Sequence, residues 1–261
     1  MPQSNQVQSS GNLPVFPFQA AVPIWMDSNA AASDSALTTF HVELPRQAGK
    51  EAELCIAAHD FYRAWIDGDV VAQGPARAAP GHARVDRIPL PPTKTDTTAR
   101  LVVEVSHDAF PRYDRARGPG FLAAEVLENG KVRVATGSVG DWRWADCGWR
   151  RRPMEKFSMQ RGRIEAWCFP DAAHPGNWGT RLDTAPGSSP LPLPDDKWPV
   201  FLVRRSALPK REHQEARAAA TGRFRLSENA LRAVEFWWTT PEMKDCLMRS
   251  ERSEHALDVP D

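Results

Sequence analysis

The chain has little of what most protein chemistries require. Its 261 residues include only four cysteines and two tyrosines. Cys55, Cys147, Cys168 and Cys246 form no C-x-x-C pair and have no histidine at metal-ligand spacing, so neither a zinc site nor a dithiol redox centre is written into their order. They read as buried or incidental free thiols, which favours a reducing compartment. No nucleophile elbow, phosphate loop, zinc helix or dinucleotide fingerprint occurs, and no metal or other cofactor is expected. Net charge is absent too, because 33 basic side chains balance 33 acidic ones. That leaves no field to attract nucleic acid or an anionic membrane. Apolar runs such as 20–26, interrupted by Pro23, fall short of the roughly 20 residues a membrane-spanning helix needs. The opening MPQSNQVQSSGNLPVF lacks the basic cluster and apolar stretch of a secretory signal, so a cytoplasmic protein is expected.

What is present is a β rhythm. Ten tryptophans, 23 prolines and short apolar stretches broken by turn residues predict an all-β chain. In LTTFHVEL, 37–44, the set Thr38, Phe40, Val42 and Leu44 alternates with Leu37, Thr39, His41 and Glu43, and the first set is expected to face a core. ELCIAA, 53–58, and LVVEVS, 101–106, read as further strands. Asp67-Gly68 and Asn129-Gly130 sit between apolar-rich arms. Both central positions of the favoured hairpin turn need positive φ, which glycine takes freely and Asp and Asn tolerate. Two hairpins are therefore predicted, over 62–73 and 120–137. Between them HDAFPRYDRARGPG has charge, proline and glycine without periodicity, the mark of a long loop over one end of the sheets.

After Asp141 tryptophan and arginine mix, in DWRWADCGWRRRP, before a strand-like segment at 163–169. The proline-rich 183–199 reads as a connector into a short strand, VFLVRR. The expected organisation is a disordered tail over 1–17, a jelly-roll sandwich over 18–150, a partial second β unit over 151–210, and a helical or frayed tail over 211–261.

These residues also carry a resemblance. The order AELCIAAHDFYRAWIDGDVVAQGPAR, then LVVEVS, then GPGFLAAEVLENGKVRVATGSVGDWRWAD resembles the N-terminal β-sandwich domain of α-L-rhamnosidases and related glycoside hydrolases. The hairpin positions of the resemblance are Ala57, Ala58, Tyr62, Trp65, Ile66, Asp67 and Gly68, and its tail runs from Ala135-Thr136-Gly137 to Trp142 and Trp144. It covers about 35–205. The resemblance implies a galactose-binding-like jelly roll, with the acid and base carboxylates in a helical barrel that follows the β domains. This chain stops before such a barrel could be encoded, so no catalytic residue is carried over.

The carboxylates available, Asp86, Glu125, Asp141, Asp146, Glu155 and Glu165, sit where solvation or a local hydrogen bond is the default. Sugar-binding candidates are Trp142, Trp144 and Trp149 with Arg143 and Asp141, and Arg112 and Tyr113 in the loop. Flat rings stack on a pyranose while arginines and carboxylates bond its hydroxyls. The competing reading is that Trp142 and Trp144, two apart and so on one strand face, are core or interdomain packing. His59-Asp60 and His107-Asp108 lie at strand ends, where such residues commonly cap, and no serine or cysteine is placed beside them as a nucleophile.

The function expected is a non-catalytic accessory or carbohydrate-binding module of rhamnosidase type, not an enzyme by itself, with a rhamnose-containing glycan as partner. Two readings stand beside it. One is an autonomous lectin-like binder, and the other is an interaction subunit that self-associates or completes a split hydrolase with a helical-barrel partner.

Overall fold

The computed structural model describes residues 15–26, 36–107, 118–147, 150–151, 166–167 and 187–208. The strands are β1 (Ile24–Trp25), β2 (Ala36–Arg46), β3 (Ala52–Ala58), β4 (Phe61–Ile66), β5 (Asp69–Gly74), β6 (His82–Leu90) and β7 (Thr97–His107). They continue with β8 (Leu122–Glu128), β9 (Lys131–Ala135), β10 (Arg143–Asp146), β11 (Arg150–Arg151), β12 (Ala166–Trp167), β13 (Leu191–Pro192) and β14 (Val200–Val203). Among the described residues helix is limited to one 3₁₀ turn, Asp195–Lys197. None of their helices is long and apolar enough to cross a membrane.

Two sheets stack as a jelly-roll sandwich. One has the order β13-β1-β8-β3-β6-β14 with β9 beside β8, and the other β10-β2-β7-β4-β5. The antiparallel ladder of β2 with β7 runs from Ala36↔His107 to Arg46↔Thr97. Along β2 the predicted inward set Thr38, Phe40, Val42 and Leu44 is buried throughout, and of the other set Thr39 is buried as well, its hydroxyl donating to the Ala145 carbonyl of β10. Opposite them lie Leu54, Ile56, Leu122 and Val126, and the fully buried Trp25 and Tyr62 fill the interior. Each large apolar side chain buried here contributes about 1.5–3 kcal/mol.

Strand β8 is buried on both faces over Leu122–Val126, which an ordinary half-buried strand is not. Its outer face lies under residues 16–21 and β14. Phe16 and Phe18 meet edge to face, Phe18 meets Phe201 the same way, and Phe201 reaches Phe121. Glu125, 1% exposed, accepts the backbone N–H groups of Gln19, Ala20 and Ala21 at 3.0–3.1 Å. Three donors on one carboxylate hold the N-terminal segment across the sheet.

Both hairpin turns have the backbone their dipeptides call for, with φ of 48° and 89° at Asp67 and Gly68 and 49° and 75° at Asn129 and Gly130. Asp67 Oδ1 also accepts Arg100 N–H at 2.7 Å. Two boundaries differ from expectation. The last residues of the 1–17 tail are paired, Val15 bridging Leu202 and Phe16 N–H donating to the Phe201 carbonyl. The stretch 187–208 returns to the sandwich instead of opening a second β unit. There β13 pairs with β1, and β14 runs parallel to β6, Val200↔His82 to Val203↔Val85. The reason is an open edge: β6 has β3 on one side, and its free groups on the other take the proline-free VFLV. Arg204 then fastens this return to buried Asp86 at 2.8 Å, and Asp86 also accepts the Tyr62 hydroxyl. Burial and the Asp86 carboxylate push the Tyr62 phenol well above its ordinary range. The predicted segment at 163–169 contains β12, which pairs with β11, and the expected tail over 211–261 lies outside the described residues.

Candidate functional site

Among the described residues, one group of three potential metal-ligating side chains lies at the end of the sandwich where β3 turns into β4 and β7 finishes. The register of β4 against β7 places Phe61 opposite Ser106, so the β3–β4 turn, His59-Asp60, arrives beside His107. Asp60 closes this turn with φ of 63°, a conformation that aspartate tolerates better than most residues. His59 N–H is held by the Phe121 carbonyl at 3.1 Å.

Three ligand atoms converge there. His59 Nδ1 is 3.2 Å from Asp60 Oδ2, His107 Nδ1 is 3.4 Å from the same oxygen, and the two Nδ1 atoms are 3.1 Å apart. Side-chain exposure is 0% for His107, 4% for Asp60 and 15% for His59. Trp25 packs edge-on against the His107 ring, and His59 and His107 meet edge to face. Gly118 and Gly120 are close-approach positions. A Cβ on Gly118 would fall 2.8 Å from His59 Nε2, and one on Gly120 would run into the Trp25 indole. Sequence spacing gives no sign of this cluster, because 48 positions separate His59 from His107. The signal that could have found it is the antiparallel register, which sets the start of β4 beside the end of β7.

Four of the sugar-binding candidates, Asp141, Trp142, Arg143 and Trp144, are among the described residues. Trp142 is 4% exposed and Trp144 packs against the same core, so the packing reading describes both rings and Trp142 has no free face for a pyranose. Arg143 and Asp141 stay at the surface, paired at 2.8 Å, and Arg143 also donates to Ser189 Oγ at 3.1 Å. Trp149, Arg112 and Tyr113 lie outside the described residues. The default of a solvated carboxylate holds for Asp141 and fails for Asp86 and Glu125, both buried. On the outer face beside Arg143, burial first and then Arg100 and Arg143 lower the pKa of His41. Of the cysteines, Cys55 and Cys147 are buried and free, and burial pushes the Cys55 thiol up to about 12. Cys168 and Cys246 lie outside the described residues.

No family model matches this chain, and no curated protein does. Among solved structures, the GH78 family rhamnosidase of Bacillus sp. GL1 superposes with a TM-score of 0.61 at 21% identity, over 72% of this chain and 20% of that one. The lectin from Pleurotus ostreatus in complex with GalNAc gives 0.38 at 19% identity, over 55% and 40% of the two chains. An α-L-rhamnosidase from Dictyoglumus thermophilum gives 0.38 at 10% identity, over 48% and 16%. The last two are too distant to carry an inference. The chain spans about a fifth of the length of the Bacillus enzyme. Its fold is therefore that of a rhamnosidase β domain, as the ordered hairpins and the DWRW segment suggest.

Proposed function

We propose that this chain is a non-catalytic accessory module of the α-L-rhamnosidase type, with carbohydrate as its ligand class. The observation that carries the reading is the sandwich itself, which superposes on the Bacillus rhamnosidase over 72% of the chain. The state of the buried carboxylates supports it. Glycoside hydrolysis takes two carboxyl groups roughly 5–10 Å apart across the scissile bond. Here Glu125 is bound to three backbone N–H groups, Asp86 to Tyr62 and Arg204, Glu128 to Gln47 N–H and Arg133, and Glu104 to Cys147. Groups used in this way tie strands together. For a ligand, the exposed Asp141, Arg143 and Ser189 beside β10 offer donors and acceptors suited to sugar hydroxyls.

Calorimetric titration of the pure chain with L-rhamnose and rhamnose-containing oligosaccharides tests the reading. Saturable binding, weakened about tenfold or more by Arg143→Ala, is expected. Silence across the panel overturns the carbohydrate assignment. Rhamnose released from an aryl rhamnoside and abolished by one carboxylate substitution overturns the non-catalytic one.

An interaction subunit is the second reading, favoured by apolar side chains left at the surface where 187–208 rejoins the sheet. Val15, Leu191, Trp198 and Val200 are 38–63% exposed, and exposed apolar surface invites association. Sedimentation showing only monomer at high concentration removes self-association.

A further inference from the structure

We propose that His59, Asp60 and His107 form a binding site for one divalent transition-metal ion of the zinc type. The first argument is one of valence. Toward its neighbours in the cluster an imidazole Nδ1 is either a donor or an acceptor, and an ionised carboxylate oxygen is an acceptor only. When three such atoms are in mutual contact, two of them must be alike. With protons alone, some edge of the triangle therefore sets donor against donor or lone pair against lone pair. The three edges measure 3.1, 3.2 and 3.4 Å, so the conflict cannot be avoided by distance. A cation removes it, because all three atoms then act as acceptors, with both imidazoles carrying their proton on Nε2.

The second argument is metric. Ligand bonds of about 2.0–2.1 Å in a tetrahedron give ligand–ligand edges of roughly 3.3–3.4 Å, and the observed triangle is close to one face of it. The donor set points to the same class of ion. Two imidazole nitrogens with one carboxylate suit zinc and its neighbours, whereas calcium and magnesium take oxygen shells of six or more.

The surroundings hold the triangle in advance of any ion. Asp60 is aimed by the turn that its positive φ permits, His107 is locked against Trp25, and the bare Cα of Gly118 leaves room for the His59 ring. His59 is the partly exposed member, so it offers the route of entry and the side for a fourth, non-protein ligand. Among the described residues the ion would have three protein ligands, and three with one open position is the arrangement of an exchangeable or ligand-accepting ion.

The experiment uses the full chain, stripped with a chelator and titrated calorimetrically with ZnCl₂. Cobalt(II) replaces zinc in a parallel sample for its visible spectrum. One zinc per chain and the intense bands of four-coordinate cobalt are expected. His59→Ala and Asp60→Asn should each weaken binding by more than about 100-fold, beyond what loss of an outer-shell partner costs. Circular dichroism reports whether each variant folds. Should Asp60→Asn not fold, His59→Gln at the accessible position decides alone. No uptake of zinc overturns the proposal, as does uptake that His59→Ala or His59→Gln leaves unchanged.

Discussion

The two ends of the sandwich are built in opposite ways. At the end where β2 finishes, the chain reverses through neighbours in sequence. Asn129-Gly130 joins β8 to β9, and Glu128 beside it takes Gln47 N–H and Arg133. The next hairpin, at Asp67-Gly68, is closed by its own dipeptide and two bonds to Arg100, whose N–H donates to Asp67 Oδ1 and whose carbonyl accepts Asp67 N–H. At the other end only the two-residue turn His59-Asp60 between β3 and β4 is local among the described residues. Trp25, His59, His107 and Gly120 come from four separate stretches and meet in close contact. A locally closed turn fails alone, whereas a convergent end fails as a unit because each part holds the others in place.

Substitution at both ends can break this contrast. Gly120→Ala would push a methyl into the indole of Trp25, which is fully buried. The indole must shift to admit it, and a loss of about 3 kcal/mol is expected, at the upper end for overpacked cores. Urea unfolding should show the midpoint fall with the slope unchanged. A loss below about 0.5 kcal/mol would mean that this end yields as easily as a surface loop.

The partner measurement is Asn129→Ala. Here the backbone stays at φ of 49°, and an ordinary side chain in that region costs about 1 kcal/mol. The side chain is exposed and packs against nothing that must move. The same urea titration should therefore show about a third of the Gly120→Ala effect. Equal losses at the two ends would erase the distinction drawn from their construction.

The same contrast explains what the sequence made legible. Both hairpins, the inward set of β2 and the jelly-roll class follow from period and turn chemistry, which act over a few residues. Trp142 and Trp144 are legible as a pair on one face, but whether that face looks inward depends on β10 pairing with β2, Trp144↔Phe40. The burial of Glu125 is hidden because its partners lie 104–106 residues away in the N-terminal segment. The His59–Asp60–His107 cluster is hidden for the same reason, since register across β4 and β7 assembles it. The return of 187–208 to the first sheet was masked by its prolines, which read as a connector although the flanking residues pair.

Between the two ends lies a test with a smaller expected effect, on the outer face of the five-stranded sheet. His41 is half-buried, and burial, then Arg100, then Arg143 lower its folded pKa below the ordinary histidine value. In the unfolded chain it titrates near 6.5. At pH values above that, the residue is neutral in both states and contributes no pH dependence. As pH falls from about 6.5 toward the lowered folded value, the unfolded chain takes up the proton first, so stability declines over that window and levels off below it. His41→Gln removes this contribution. The difference in urea midpoint between pH 7.5 and pH 5.5 should be smaller in the variant than in the parent, with the two proteins converging at the higher pH. An unchanged difference would show that the sheet's middle, like its turn end, is indifferent to the charge placed there.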